Sequence, residues 1–191
     1  MKFCGACGAE VELRIPVGDN RPRHICVSCE MIHYRNPNIV AGTLPVWEDG
    51  RILLCRRAIE PRHGLWTLPA GFMENGETTQ QAAIRETTEE AQANIHVEDL
   101  CTVFSLPHVS QVYMIFRAQL LDLNFSAGVE SLEVALFAEK DIPWDKMAFN
   151  AVAETLKCFF EDRRKGVFST HIGDIDKKSG DMCKYKVSYL A

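Results

Sequence analysis

Three glutamates, Glu86, Glu89 and Glu90, recur at i, i+3 and i+4, which on a helix confines them to an arc of about 100°. Arg85 immediately precedes them and Glu77 lies just upstream. Carboxylates gathered in the C-terminal half of a helix oppose its macrodipole. Glu86 and Glu90 also repel each other, at a cost of roughly a few tenths of a kcal/mol. A bound cation offsets both costs, and oxygen ligands without histidine or thiolate favour Mg²⁺ or Mn²⁺. A solvated acidic face is the alternative reading of the same three residues.

The second chemical set is Cys4-Gly5-Ala6-Cys7 and Cys26-Val27-Ser28-Cys29, two C-x-x-C units separated by eighteen residues. Two knuckles at that spacing bring four thiolates around one tetrahedral zinc ion and leave no open position, so the ion is structural. Gly5 and Gly8 supply the turn freedom that a knuckle needs. Redox pairs or disulfides are the alternative, but a thioredoxin-like motif needs a strand–helix context that is missing. So small a segment cannot bury enough apolar surface alone, which makes the metal its core. His24 and His33 read as ordinary polar residues. Cys55, Cys101, Cys158 and Cys183 stand singly and read as buried thiols.

Composition bounds the function. The chain of 191 residues, 47% hydrophobic and 25% charged, suits one well-buried core with a small appendage. Its net charge of −5 disfavours nucleic acid as a partner. Residues 1–36 carry five Lys/Arg against four Asp/Glu, so the acidity belongs to the remainder. The N-terminus lacks an apolar signal region and no run is long enough to span a membrane, so a cytoplasmic protein is expected.

The elements that must carry these residues follow from pattern. Residues 1–35 form the ribbon, with a short strand over Val11–Pro16 and a turn at Asp19-Asn20. Residues 36–165 form the main domain. Strands are predicted over Ile39–Trp47 and Arg51–Arg57 around Glu48-Asp49-Gly50, whose Asp-Gly pair favours two residues at positive φ. A helix runs from Thr78 to about Ala93, opened by a capping box between Thr78 and Gln81. On its wheel Ile84, Thr87 and Ala91 lie opposite the acids as the buried side. Further strands fall near Cys101–Ser105, Val109–Leu121 and Leu132–Phe137, and a second helix over Ala151–Arg163. Residues 166–191 form an extension in which Tyr185, Val187 and Tyr189 alternate as in a terminal hairpin. Helices interleaved with hairpin strands indicate an α/β sandwich rather than a doubly wound parallel sheet.

Gly71, five residues, Glu77, seven residues, then Arg85-Glu86-x-x-Glu89-Glu90 resembles the Nudix box, a loop–helix–loop motif. Thr87 stands where an aliphatic residue is usual. Gln92 replaces the glycine that ends the helix, leaving Asn94 to take the left-handed conformation. A four-cysteine ribbon before such a domain is similar to the NADH pyrophosphatase group and to enzymes acting on FAD and ADP-ribose. Ser105-Leu106-Pro107-His108-Val109-Ser110-Gln111 lacks the NADH group's proline-rich motif, so the latter enzymes look closer.

The resemblance implies a Nudix α/β/α sandwich with a mixed sheet, preceded by a zinc ribbon. It implies metal-dependent hydrolysis of a dinucleotide or nucleotide-sugar diphosphate, with FAD or ADP-ribose yielding AMP plus FMN or ribose 5-phosphate. NADH hydrolysis, or a non-catalytic nucleotide-sensing regulator, are the alternatives. By the same resemblance Glu86 and Glu90 hold Mg²⁺ or Mn²⁺, Glu89 serves a second ion, the Ala70 carbonyl completes a site, and Arg85 and Glu77 orient the cluster. Glu133 is the expected general base, with Glu130 as runner-up and a plain surface glutamate as the alternative. Trp66, Phe72 and Tyr113 are candidate stacking platforms, with core packing expected for at least two. A homodimer is expected from the resemblance alone.

Overall fold

The computed structural model describes residues 1–177 and 185–190. Cys183 lies outside them. The chain divides into two compact units, Met1–Pro37 and Asn38–Ala191.

The first unit is an antiparallel sheet of three short strands, β1 (Val11–Arg14), β2 (Arg23–Cys26) and β3 (Ile32–His33), in that order. Its register sets Val11 opposite Cys26 and His24 opposite His33. Each knuckle closes through the residue after its second cysteine, which takes the left-handed conformation: Gly8 (φ 75°) and, at the other knuckle, Glu30 (φ 56°). The freedom expected of Gly5 is not used, since its φ is negative.

The second unit is a mixed sheet with one helix on each face. Its elements are β4 (Asn38–Val46), β5 (Ile52–Arg57), β6 (Trp66–Thr67), β7 (Ala70–Phe72), α1 (Thr79–Ala91), β8 (Ile95–Leu106), β9 (Gln111–Leu120), β10 (Ser131–Phe137), α2 (Asn150–Lys165), β11 (His171–Lys177) and β12 (Tyr185–Tyr189). Strand order is β10-β5-β4-β9-β8-β11-β12, with β6 added to β5 and β7 to β4. Two pairings, β4 with β9 and β8 with β11, are parallel. Ala82, Ala83 and Ala91 of α1 pack on one face, with Ala41, Leu53, Phe116 and Leu120. Val152, Leu156, Phe159 and Phe160 of α2 pack on the other, with Leu44, Leu54 and Ile115. The result is an α/β/α sandwich. Among the described residues no helix is long and apolar enough to cross a membrane.

Both helices are pinned to the sheet by the same device. On α1 the buried Thr87 hydroxyl reaches the Ala83 carbonyl (2.7 Å) and meets Thr43 of β4 (2.6 Å). On α2 Thr155 reaches the Ala151 carbonyl (2.8 Å) and meets Thr102 of β8 (2.8 Å). Thr87 therefore departs from the aliphatic pattern because the strand beneath supplies a hydroxyl, which keeps two buried polar groups satisfied.

Three expectations change. At the β4–β5 turn only Gly50 has positive φ (85°), and Asp49 instead accepts from the Arg51 amide (3.0 Å). That pattern is a type I turn ending in a left-handed residue. Ile84 is exposed rather than buried. The buried arc of α1 is Ala82, Ala83, Glu86, Thr87, Glu90 and Ala91, and at about 100° per residue Glu90 falls near its middle. Finally, the expected terminal hairpin is present, as β11 paired antiparallel with β12, but it is part of the main sheet rather than an extension: β11 pairs with β8 from His171↔Thr102 to Asp174↔Ser105. The apolar reason is Phe104, which is fully buried once Ile175 and Val187 cover it.

Candidate functional site

The loop before α1 and the helix itself build one acidic centre. Thr78 opens the helix, accepting from the Gln81 amide while the Gln81 side chain accepts from the Thr78 amide. Glu77 is thereby held one residue outside the helix, where its carboxylate also accepts from the Glu74 amide (2.6 Å). Arg85 joins the parts. Its Nε and Nη2 grip both oxygens of Glu77 (3.1 and 2.8 Å), Nη1 donates to Glu86 (2.7 Å) and Glu89 (3.2 Å), and Nη2 reaches the Phe72 carbonyl (3.1 Å). The guanidinium beside it holds Glu77 below the usual carboxylate range, as does the Glu74 amide. Arg85 itself is pushed up, chiefly by Glu77.

Glu86 and Glu90 are buried, at 9% and 6% exposure. Burial pushes Glu90 up to about 8, and the neighbouring charge of Glu86 adds to it. Burial also raises Glu86, against the pull of Arg85. Gly71 makes room: a Cβ there would collide with the Glu86 carboxylate. The Ala70 amide donates to Glu90 (3.3 Å). Pro69 and Ile39 carbonyls accept on the β4–β7 edge from Thr43 and Met73. Ala70, between those bonded positions, thus turns both its N–H and its C=O away from β4, on the side of Glu90. Two buried carboxylates share this recess with one guanidinium, a charge excess that suits a hard divalent cation with oxygen ligands.

In the first unit the four sulfurs of Cys4, Cys7, Cys26 and Cys29 all lie within 4.8 Å of one another. Backbone amides of Ala6, Ser28 and Cys29 point at the sulfurs of Cys4 and Cys26 (3.4 Å each). Four thiols this close, with amides that favour thiolate, fit one tetrahedral zinc ion. His33, read from sequence as plain polar surface, places Nε2 3.3 Å from Cys4 Sγ. The signal that could have found it is the β2–β3 pairing, invisible until strand β3 is recognised. Cys55, Cys101 and Cys158 are buried, and burial pushes the Cys101 thiol up to about 12.

The remaining candidates divide. Trp66 is buried in the core under α2, edge-on to Phe137 at 4.8 Å. The Tyr113 ring is 6% exposed and packs with Val40, Phe104 and Leu106. Only Phe72, half exposed, presents its ring to solvent. Glu133 lies on the exposed part of β10, 3.6 Å from Arg56. Val134 and Leu136 pack toward α1, so alternation turns Glu133 to the opposite face of the sheet. The runner-up Glu130, at the end of the preceding loop, is the acid whose charge acts on both Glu86 and Glu90. Arg57 was missed by sequence reasoning. It is 9% exposed, its Nε donates to the Pro61 carbonyl (3.0 Å), its guanidinium stacks 5.2 Å from the Phe149 ring centre, and its charge favours ionised Glu90. The available clue was Arg57 as the second of two adjacent arginines ending the run Ile52–Cys55, since alternation places it on the same face as Cys55.

A mixed sheet between two helices, with a recessed carboxylate cluster on one helix and a four-thiol ribbon ahead of it, defines a Nudix fold with an N-terminal zinc ribbon. Family comparison agrees: residues 2–35 match the Nudix N-terminal zinc ribbon and residues 37–154 the NUDIX domain. The chain belongs to the Nudix hydrolase family. It is 56% identical to a Nudix hydrolase of Nitrosomonas europaea whose crystal structure superposes with a TM-score of 0.89, covering 93% of this chain and all of that one. It is 31% identical over 123 residues to an ADP-ribose pyrophosphatase of Methanocaldococcus jannaschii, covering 61% of this chain and 70% of that protein. It is 35% identical over 108 residues to the NAD-capped RNA hydrolase NudC of Edwardsiella ictaluri. That match covers 56% of this chain but spans only 38% of the length of NudC.

Proposed function

We propose that the chain hydrolyses the diphosphate of ADP-ribose in a reaction dependent on Mg²⁺ or Mn²⁺, releasing AMP and ribose 5-phosphate. The observation that carries this reading is the recessed pair Glu86 and Glu90, two buried carboxylates of which only Glu86 has a cationic side chain within hydrogen-bond distance, that of Arg85. Of the two substrates that the sequence resemblance implies, ADP-ribose is the one that a relative's name also bears, so it stands before FAD.

Glu86 and Glu90 would hold the cation, with the Ala70 carbonyl beside them, and Glu89 would serve a second one. A bound divalent ion would neutralise the diphosphate and lower the pKa of a coordinated water. Arg85, fixed by Glu77, holds Glu86 in the recess and the exposed Glu89 beside it. Glu130 takes the proton as water adds to phosphorus and the bridging oxygen leaves. Arg57, anchored by Pro61 and Phe149, offers positive charge to the phosphate that departs. The exposed ring of Phe72 provides a stacking surface for the base.

The match to NudC supports a second reading, cleavage of an NAD-type dinucleotide. A panel of ADP-ribose, FAD, NADH and nucleoside triphosphates, assayed with each metal and resolved by chromatography, separates them. ADP-ribose is expected to give the highest kcat/KM, and a reaction in ¹⁸O-water locates the attacked phosphorus. Exclusive cleavage of triphosphates overturns the substrate class. Nucleotide binding without turnover of any compound replaces the enzyme with a sensor.

A further inference from the structure

The C-terminal end of α1 is clasped by the loop between β9 and β10. The Gly128 amide donates to the Glu90 carbonyl and the Ser126 amide to the Ala91 carbonyl, both at 3.0 Å. These carbonyls belong to the last turn, where a helix leaves its acceptors without internal partners. Gly128 fits so closely that a Cβ on it would meet the Glu89 carbonyl oxygen. Phe125 packs beside Ala91 and Ala93, and Asn94 holds the start of the loop, its side chain donating to Asp122 (2.8 Å) and its carbonyl accepting from the Leu121 amide (2.9 Å). At the far end the Glu130 carbonyl accepts from the Ala58 amide (2.8 Å).

Gln92 belongs to this clasp. Gln92 itself, and not Asn94 as expected, ends the helix in the left-handed conformation (φ 47°, ψ 34°), where glycine carries no penalty and a side chain does. Its side-chain oxygen accepts from the Ser126 hydroxyl at 2.7 Å. A residue that costs backbone energy and contributes a bond to the loop serves the loop rather than the helix.

We propose that residues 125–130 are a positioning clamp, in which Gln92, Ser126 and Gly128 fix the separation between the carboxylate cluster of α1 and the base-bearing Glu130. This rests on the catalytic reading of α1 and Glu130 above. None of the three touches substrate; each acts through the two glutamate-bearing elements that the clamp joins.

The test compares Q92G, S126A, the double variant Q92G/S126A, and G128A on whichever of ADP-ribose, FAD and NADH the protein cleaves fastest. Because glycine suits the left-handed position, Q92G is expected to unfold at the same temperature or higher, while its kcat falls roughly threefold or more with KM little changed, as expected when a reacting group is slightly misplaced. S126A should match it, and the double variant should lose no more than either single one. G128A, which must push the loop away, should lose about tenfold or more in kcat. Hydrogen exchange at the Ser126 and Gly128 amides should quicken in Q92G, a readout independent of activity. If Q92G, S126A and G128A all keep kcat within about twofold of the parent, the clamp is overturned. E90Q and E130Q in the same series distinguish the two failures. Collapse of both alongside unaffected clamp variants rejects only the clamp, whereas full activity of E90Q rejects the catalytic reading of α1 and full activity of E130Q rejects Glu130 as the base.

Discussion

Replacing Glu90 by glutamine should make the cation-free protein more stable, and increasingly so as pH rises. In the folded chain burial and Glu86 hold the Glu90 carboxyl at about 8, against an ordinary value near 4.5. A group raised on folding contributes stability that is fully present below its unfolded pKa and is lost as pH climbs toward its folded pKa. The loss begins near pH 4.5, proceeds at about 1.4 kcal/mol per pH unit, and levels off above pH 8 at a total approaching ~5 kcal/mol. The amide of the E90Q variant carries no charge in either state and escapes it. The difference in unfolding free energy between E90Q and the parent should therefore widen from pH 5 to pH 8 by several kcal/mol and then stay level. Urea unfolding with Mg²⁺ and Mn²⁺ omitted, and without a chelator that would strip a metal from the four thiols of the ribbon, measures this. Tryptophan emission is the suitable signal, because Trp47, Trp66 and Trp144 all belong to the unit that carries Glu90. Adding Mg²⁺ at pH 8 should then restore the parent while leaving E90Q nearly unmoved. A difference that does not change between pH 5 and pH 8 refutes the reasoning, for it would mean that Glu90 ionises as freely in the folded protein as in the unfolded chain.

Other outcomes follow from the same geometry. Protein desalted in reductant should carry close to one zinc per chain by elemental analysis, and C26S should lose it; disulfides among the four cysteines in freshly purified material would contradict the site. G71A, whose new methyl must displace the Glu86 carboxylate, should lower kcat by about a hundredfold while the main unit still folds. T87V should cost roughly 1–3 kcal/mol in denaturant unfolding, because it leaves the buried Thr43 hydroxyl without its partner, and T43V/T87V should recover most of that loss. A double variant as unstable as T87V alone would show that the hydroxyl pair is not the cause.

Much of the site was legible as a one-dimensional pattern. Cys4, Cys7, Cys26 and Cys29 could be grouped because knuckle spacing is a local property, and the capping box at Thr78 and Gln81 because it spans one turn. Periodicity located the strands β4, β5 and β10 to within a residue or two for the same reason. The wheel of α1 misleads on one point. Its pattern sets Ile84, Thr87 and Ala91 opposite the acids as the buried side; Thr87 and Ala91 are buried, but Glu86 and Glu90 take the place of Ile84 in an arc centred on Glu90. Hydrophobicity cannot reveal that exchange, since a buried glutamate looks like a surface residue until the element covering it is known. The fate of Trp66 and Tyr113 was equally hidden, because an aromatic side chain suits a core and a ligand surface alike.

What the sequence determines by itself is the chemistry available: an acid-rich helix with its arginine, four thiols for one ion, and the order of strands and helices that carries them. Spacing within a turn or knuckle is enough for these, because the chain between the residues is too short to separate them. Which face of α1 is buried, which of Glu130 and Glu133 stands near the carboxylates, why Gln92 replaces a glycine, and where Arg57 and His33 belong were decided only by tertiary structure. Each depends on contacts between residues tens of positions apart, such as Gln92 with Ser126 or Cys4 with His33. No local rule links such residues, and packing of the sheet against its helices, together with the pairing of the ribbon strands, is what brings them within a bond's length.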